Sequence, residues 1–199
     1  MFHDLYEKKE RKLIHSLDDN LDVIEAGGGI GLISMYIKKK IKSKKLIILE
    51  PNERLNNIIK NNFKINNLIN DDFFLLNYAL SDEANQIVEF QKFESSMANT
   101  ISKEVLDYNF KKTESIKVKT TNINKIIKDF NLENFQLVLD IEGAELEVLT
   151  KNNTWLSNCK KILLENHFET KRLNYINDYL IKKNFKLVEK NENVFLFSK

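Results

Sequence analysis

Two short stretches group side chains that could move a proton. In LVLDIEGAELEVL, Asp140, Glu142 and Glu145 surround Gly143, and in LLENH, Glu165 and His167 close another apolar run. Each run reads as a strand, and the carboxyl ends of adjacent parallel strands come together. Groups gathered there can take the proton from a bound hydroxyl. A histidine with an ordinary pKa near ~6.5 accepts a proton at neutral pH, whereas a carboxylate must first be raised by burial. His167 is therefore the foremost candidate, with Asp140, Glu142 and Glu165 as alternatives or as groups that orient an acceptor. The same four could ring a divalent cation that acidifies a hydroxyl. The metal-free reading is preferred. Glu142 and Glu145 also suit a plainer role, neutralising the positive end of the following helix.

A second constellation would hold a nucleotide-like ligand. In VIEAGGGIGLIS an apolar strand runs into Gly27, Gly28, Gly29 and Gly31, four of the five glycines in the chain, and then into a helical pattern. Such a turn lets backbone approach a ligand and aims free N–H groups into the crevice beyond the strand. A dinucleotide fingerprint G-x-G-x-x-G fails, since its last position is Leu32 or Ser34. The segment fits E-x-G-x-G-x-G, where Glu25 could reach a cationic amino group such as that of a methionine moiety. Glu50, ending LIILE, could accept both hydroxyls of a ribose. Asn77, Tyr78 and Ala79, ending the next apolar run, would lie near an adenine. Ordinary packing explains those three equally well.

These residues need a scaffold that brings strand ends together. Strands are expected at 21–26, 45–50, 73–79, 135–141 and 161–166, and helices at 30–40, 51–66, 122–129, 144–149 and 170–183, with Pro51 in a first helical turn. This alternation implies a mostly parallel sheet covered on both faces, and the unbroken apolar runs LIILE, LVLD and KILLE suit strands buried between two layers. FKLVEK and NVFLFS, joined at Asn191 and Glu192, are expected to form an antiparallel hairpin. The stretch 86–118 reads as an insertion beside the cleft, with Ser95, Ser96 and Asn99 as candidate acceptor contacts. Trp155 is expected in the core, and His3 and His15 are expected to be ordinary surface or packing residues.

Composition narrows the function classes. With 199 residues, 42% hydrophobic, the chain supports one substantial core, read as an N-terminal helix over 1–20 and one domain over 21–199. Lys+Arg of 31 against Asp+Glu of 29 leaves a net charge of +2, which gives no field to draw in nucleic acid or an anionic membrane. The lysine run 38–45 is taken as a solvated helix end. The single cysteine, Cys159, excludes an intrachain disulfide and fits a cytoplasmic location. The N-terminal segment, with its scattered charges, reads as a charged amphipathic helix.

The glycine motif, the N-x-A-L-S segment over 77–81 and the D-x-E-G-A-E block over 140–145 together resemble the FkbM family of S-adenosylmethionine-dependent methyltransferases, and LLENH is also typical. The likeness covers about 21–197. It implies an α/β, Rossmann-like, seven-stranded class I methyltransferase sheet, mostly parallel with a C-terminal antiparallel hairpin, and S-adenosyl-L-methionine as cofactor. It further implies O-methylation of a small hydroxylated acceptor such as a sugar, glycan precursor or secondary metabolite. The first motif departs from the more usual D-x-G-A-N-x-G of that family through Glu25 and Gly29. An NAD(P)-dependent oxidoreductase and a non-catalytic cofactor-binding module stand as alternatives. No N-P-P-Y-like tetrapeptide of a nucleic-acid methyltransferase follows the fourth expected strand.

Overall fold

The computed structural model describes residues 8–41, 44–93, 100–101, 112–167 and 170–199. Among the described residues, ten strands and six α-helices follow one another. They are α1 (Lys8–Ile14), β1 (Asp22–Ala26), α2 (Leu32–Ile41), β2 (Leu46–Leu49), α3 (Glu53–Ile65), β3 (Phe73–Leu76), β4 (Ala79–Leu80) and β5 (Ile87–Phe93). Then come β6 (Lys112–Thr121), α4 (Ile123–Phe130), β7 (Phe135–Leu139), α5 (Glu145–Thr150), β8 (Cys159–Glu165), α6 (Thr170–Lys182), β9 (Lys186–Asn191) and β10 (Val194–Ser198).

Seven strands form one sheet in the order β3-β2-β1-β7-β8-β10-β9. Pairing is parallel from β3 through β8, and β10 runs antiparallel between β8 and β9. Alternate strand residues separate two apolar layers, as the period-2 geometry of a strand requires. On one face Val23, Leu46, Ile48, Val138 and Leu163 pack with Leu13 of α1, Ile33, Ile37 and Ile41 of α2, and Ile59 and Phe63 of α3. On the other, Ile24, Ile47, Leu137, Ile162 and Phe195 pack with Ile126 of α4, Leu149 of α5 and Ile176 and Leu180 of α6. Trp155, in a short 3-10 turn (Thr154–Ser157), is buried in this second layer as expected.

Several element ends differ from the sequence reading. Pro51 stands outside its helix because Asn52 caps α3, its side chain accepting from the Arg54 N–H at 3.1 Å. The glycine turn delays α2 until Leu32. The run over 73–79 is two strands: β3 ends at Leu76, while Ala79 and Leu80 pair with Thr120 and Thr121 in a second, three-stranded sheet, order β4-β6-β5. The 86–118 stretch contributes β5 and most of β6, a long antiparallel pair. Lys38 is not solvated: it is buried at 4% exposure, its Nζ donating to the Lys44 carbonyl at 3.2 Å. Among the described residues no helix is long and apolar enough to cross a membrane.

Candidate functional site

Strand register creates the site. Ala26 lies beside Leu49 on one side and Leu139 on the other; Leu49 pairs Leu76, and Leu139 pairs Leu164. The next residues therefore form one row across the carboxyl edge: Asn77, Glu50, Gly27, Asp140 and Glu165. The row spans the gap between β1 and β7, where the chain, having built outward through β2 and β3, returns to the other side of β1. Loops leave such a switch point in opposite directions and open a crevice.

The glycines of the first motif serve two purposes. A Cβ on Gly27, at φ +92°, would lie 1.7 Å from the Asp140 carbonyl oxygen, so this glycine lets β1 and β7 close together. A Cβ on Gly28 would lie 2.7 Å from Ile48 Cγ2, and one on Gly31 would lie 3.2 Å from Ile59 Cγ1. Only Gly29, at φ +52°, has open space within 4 Å of its missing Cβ, and it is the glycine that faces the crevice unobstructed. Its N–H donates to Glu50 Oε2 at 2.9 Å, while Asn52 N–H donates to Oε1 at 2.8 Å. Burial to 4% exposure pushes the Glu50 carboxyl up to about 7 against these two donors. Glu25 is buried in β1 at 2% exposure.

The three residues expected near an adenine separate. Asn77 is exposed, and its Nδ2 ties the strand end by donating to the Glu50 and Pro51 carbonyls at 3.1 and 2.9 Å. Tyr78 packs on the core layer of α4–α6, and Ala79 is buried at 4% exposure in the second sheet. Ser95, Ser96 and Asn99 lie outside the described residues. Nearby, Thr100 pairs with Gln91 and donates through Oγ1 to the Ile141 carbonyl at 3.4 Å, so the insertion touches the acidic turn.

His167, Asp140, Glu142 and Glu165 do come together. From His167 Nε2 the distances are 3.4 Å to Glu142 Oε2, 3.5 Å to Asp140 Oδ1 and 3.9 Å to Glu165 Oε1. From Nδ1 it is 3.0 Å to Glu145 Oε1. The Asp140 side chain is 35% exposed as a whole, but its Oδ1 is buried and accepts no hydrogen bond. Burial, then the charge of Glu165, raise Asp140 well above the usual carboxylate range, with His167 opposing. Burial alone would lower the His167 imidazole. The hydrogen bond to Glu145 and the charges of Asp140, Glu145 and Glu142 outweigh it and push the ring up to about 10. The surrounding acids thus favour the charged form of the ring over that of an ordinary histidine. Asp140, Glu165 and His167 each present one atom within 4.8 Å of the others, a spacing that a divalent cation could span.

Two members of this group escaped the sequence reading. Glu145, weighed as a helix-end charge, is 0% exposed and bonded to His167. Asn193, in the terminal hairpin turn, donates through Nδ2 to Glu165 Oε1 at 2.8 Å. The D-x-E-G-A-E block pointed to the first; nothing local in the sequence pointed to the second.

Comparison with known proteins bears on the family and the fold. The chain is 25% identical over 160 residues to the methyltransferase sdnD of Sordaria araneosa, a match over 68% of this chain and 62% of that protein, so it spans less than two thirds of this relative's length. A methyltransferase FkbM from Methylobacillus flagellatus superposes with a TM-score of 0.59 at 15% identity over 92% of this chain and 44% of that one. TrmK of M. capricolum, solved with S-adenosyl-homocysteine, superposes with 0.52 at 11% identity, over 94% and 65%. At such identities the structures attest the fold alone. The methyltransferase FkbM domain, however, matches residues 25–187, which takes in the glycine turn, Glu50, the acidic block and His167, and the chain belongs to the FkbM methyltransferase family.

Proposed function

We propose that this chain binds S-adenosyl-L-methionine in the crevice between β1 and β7 and transfers its methyl group to a hydroxyl of a small acceptor held over the acidic group. The row Glu50–Gly27–Asp140–Glu165 carries this reading. Around it lie the buried acids Glu25 and Glu50 with Gly29 toward β1 and β2, and Asp140, Glu142, Glu145 and Glu165 with His167 toward β7 and β8, which suits a cofactor on the first side and an acceptor on the second. The residues fit this cofactor. Glu50 offers a carboxylate to the ribose hydroxyls, Gly29 leaves room where a side chain would intrude, and Glu25 supplies a buried carboxyl group for an ammonium group. When bound, the cofactor supplies an electrophilic methyl on a cationic sulfur.

The remaining work falls to the protein. The acceptor oxygen must be aligned and its proton taken as the new bond forms. Asp140, Glu142 and Glu165 each bring a carboxylate oxygen within 4 Å of His167 Nε2, so a proton taken from the acceptor enters a closely packed group. Asp140 is the member whose raised carboxyl suits a base. His167, as an imidazolium, donates to whichever oxygen carries negative charge. The nearly balanced net charge gives no field for nucleic acid or an anionic membrane and favours a small acceptor, and the single cysteine fits a cytoplasmic location.

Calorimetry with the purified full chain tests this reading. S-adenosyl-L-methionine should bind with a free energy of roughly −7 to −8 kcal/mol. NADH and NADPH should give no heat, and Glu50→Ala should weaken binding about 10- to 100-fold, the loss of a charge-assisted pair of hydrogen bonds. Binding of NAD(P)H in place of S-adenosyl-L-methionine would overturn it. A screen of hydroxylated acceptors, run with and without Mg2+, then reads the transfer itself.

A further inference from the structure

We infer that Glu145 is a positioning residue: its buried carboxylate fixes the turn over 140–143 and the His167 ring together, so that Nε2 faces Asp140, Glu142 and Glu165. The inference rests on the methyl-transfer reading above for the purpose of that arrangement, and on geometry alone for the arrangement itself.

A helix-capping carboxylate accepts from N–H groups inside the first turn, the donors that have no intrahelical partner. Glu145 does not. It is the first residue of α5, yet its Oε1 accepts from Ile141 N–H at 3.0 Å and its Oε2 from Gly143 N–H at 2.9 Å, both ahead of the helix. A third partner, His167 Nδ1, sits 3.0 Å from Oε1 and arrives from beyond the end of β8. Among the described residues, three partners from two separate loops meet on this one side chain, which is 0% exposed.

The two backbone bonds hold an unusual turn. Glu142 has φ +56° and Gly143 φ +101°, and the left-handed region is costly for a residue with a Cβ such as Glu142. Capturing the N–H groups on either side of Glu142 keeps it there and leaves its Oε2 3.4 Å from His167 Nε2. One carboxylate therefore sets both faces of the imidazole: directly at Nδ1, and through the turn at Nε2. An acceptor of Nδ1–H also fixes which nitrogen points into the site.

The test uses the full chain labelled with 15N-histidine, in which His167 is one of only three histidines and is assigned by its disappearance in His167→Asn. In the wild-type protein at neutral pH, Nδ1 of His167 should be protonated and its proton slow to exchange. In Glu145→Gln, which keeps the shape but loses an acceptor oxygen, that proton should exchange at the solvent rate. Binding of S-adenosyl-L-methionine should stay within about threefold, because Glu25 and Glu50 are untouched. With an acceptor from the screen, kcat should fall about 100-fold with little change in KM, and Glu145→Asp should not restore it, since the shorter chain cannot reach both loops. A wild-type ring with an unprotonated or freely exchanging Nδ1 sinks the inference even if Glu145→Gln fails to fold. So does a Glu145→Gln protein with the wild-type signal and kcat. Failure of S-adenosyl-L-methionine to bind the wild-type chain sinks the functional reading and leaves the ring measurement standing.

Discussion

Gly27 and Gly29 sit two residues apart in one loop, both in the left-handed region, and the structure gives them opposite vulnerabilities. An alanine methyl at Gly27 collides with the carbonyl oxygen of Asp140, the residue just past β7, whose N–H donates to the Ala26 carbonyl at 3.0 Å. Gly27→Ala should therefore cost more than about 3 kcal/mol of stability, by steric overlap and unfavourable φ combined. At Gly29 the methyl meets open space, so Gly29→Ala should cost only about 1 kcal/mol. It should instead weaken S-adenosyl-L-methionine binding by filling the crevice. Urea melts and calorimetry on the two variants check this inversion; equal stability losses would show that Gly29 also packs internally. Glu50 offers a second residue-scale test. Its folded carboxyl is raised to about 7 from an ordinary 4.5, so between those pH values the native protein holds a proton that the unfolded chain has released. Stability contributed by this site therefore falls as pH rises through that window, by on the order of 3 kcal/mol. Glu50→Gln removes the titration. The stability of the variant relative to wild type should improve on going from pH 4.5 to 8, as read by urea midpoints across that range.

At the scale of elements, the segment ahead of the sheet is clamped to it at Asp18 by the Gln136 side chain. Gln136, 0% exposed in β7, accepts from the Asp18 N–H at 2.6 Å and donates to the Asp18 carbonyl at 2.7 Å. Beyond this clamp α1 leans on α2 and on β8, β9 and β10, and Leu13, Ile14 and Leu17 enter the same core layer as β1. This helix is part of the domain's packing, whatever boundary is drawn at residue 20. Gln136→Leu would leave both Asp18 backbone groups without their partner, at a cost of about 2–3 kcal/mol. Amide exchange over α1 and the linker to β1 should accelerate more than exchange in α6, which lies on the opposite face. Uniform acceleration would mean that the clamp stabilises the whole fold and not this element.

For the whole molecule, the returning chain matters most. The terminal hairpin inserts β10 between β8 and β9, burying Val194, Phe195, Leu196 and Phe197 in both core layers, and its turn brings Asn193 to Glu165. A chain ending at Phe185 would lose those four side chains, each worth about 1.5–3 kcal/mol of burial, and should not fold cooperatively. A sharp thermal transition in that truncated chain would show that the hairpin is dispensable. The prediction has a functional side as well. Because the same hairpin both completes the core and holds an acid of the site, shortening the chain at this end cannot spare the site.

Local pattern alone determined the alternation of buried strands and helices, the antiparallel end and the two motifs. A strand buried on both faces reads as an unbroken apolar run, and a glycine turn or an acid-rich strand end is contiguous in sequence. His167, Asp140, Glu142 and Glu165 were legible as a group because parallel strands bring their carboxyl ends together whatever their exact pairing. Tertiary structure decided what depends on register and on returning loops. It split the 73–79 run, because Leu76 ends the pairing with β2 and Ala79 pairs with β6. It gave Gly27 to sheet packing and left open space only beside Gly29 among the glycines of the first motif, and it surrounded His167 with four acids that favour its charged form. It also brought Glu145 and Asn193 into the site, since no spacing within a single element records which loop its side chains will meet.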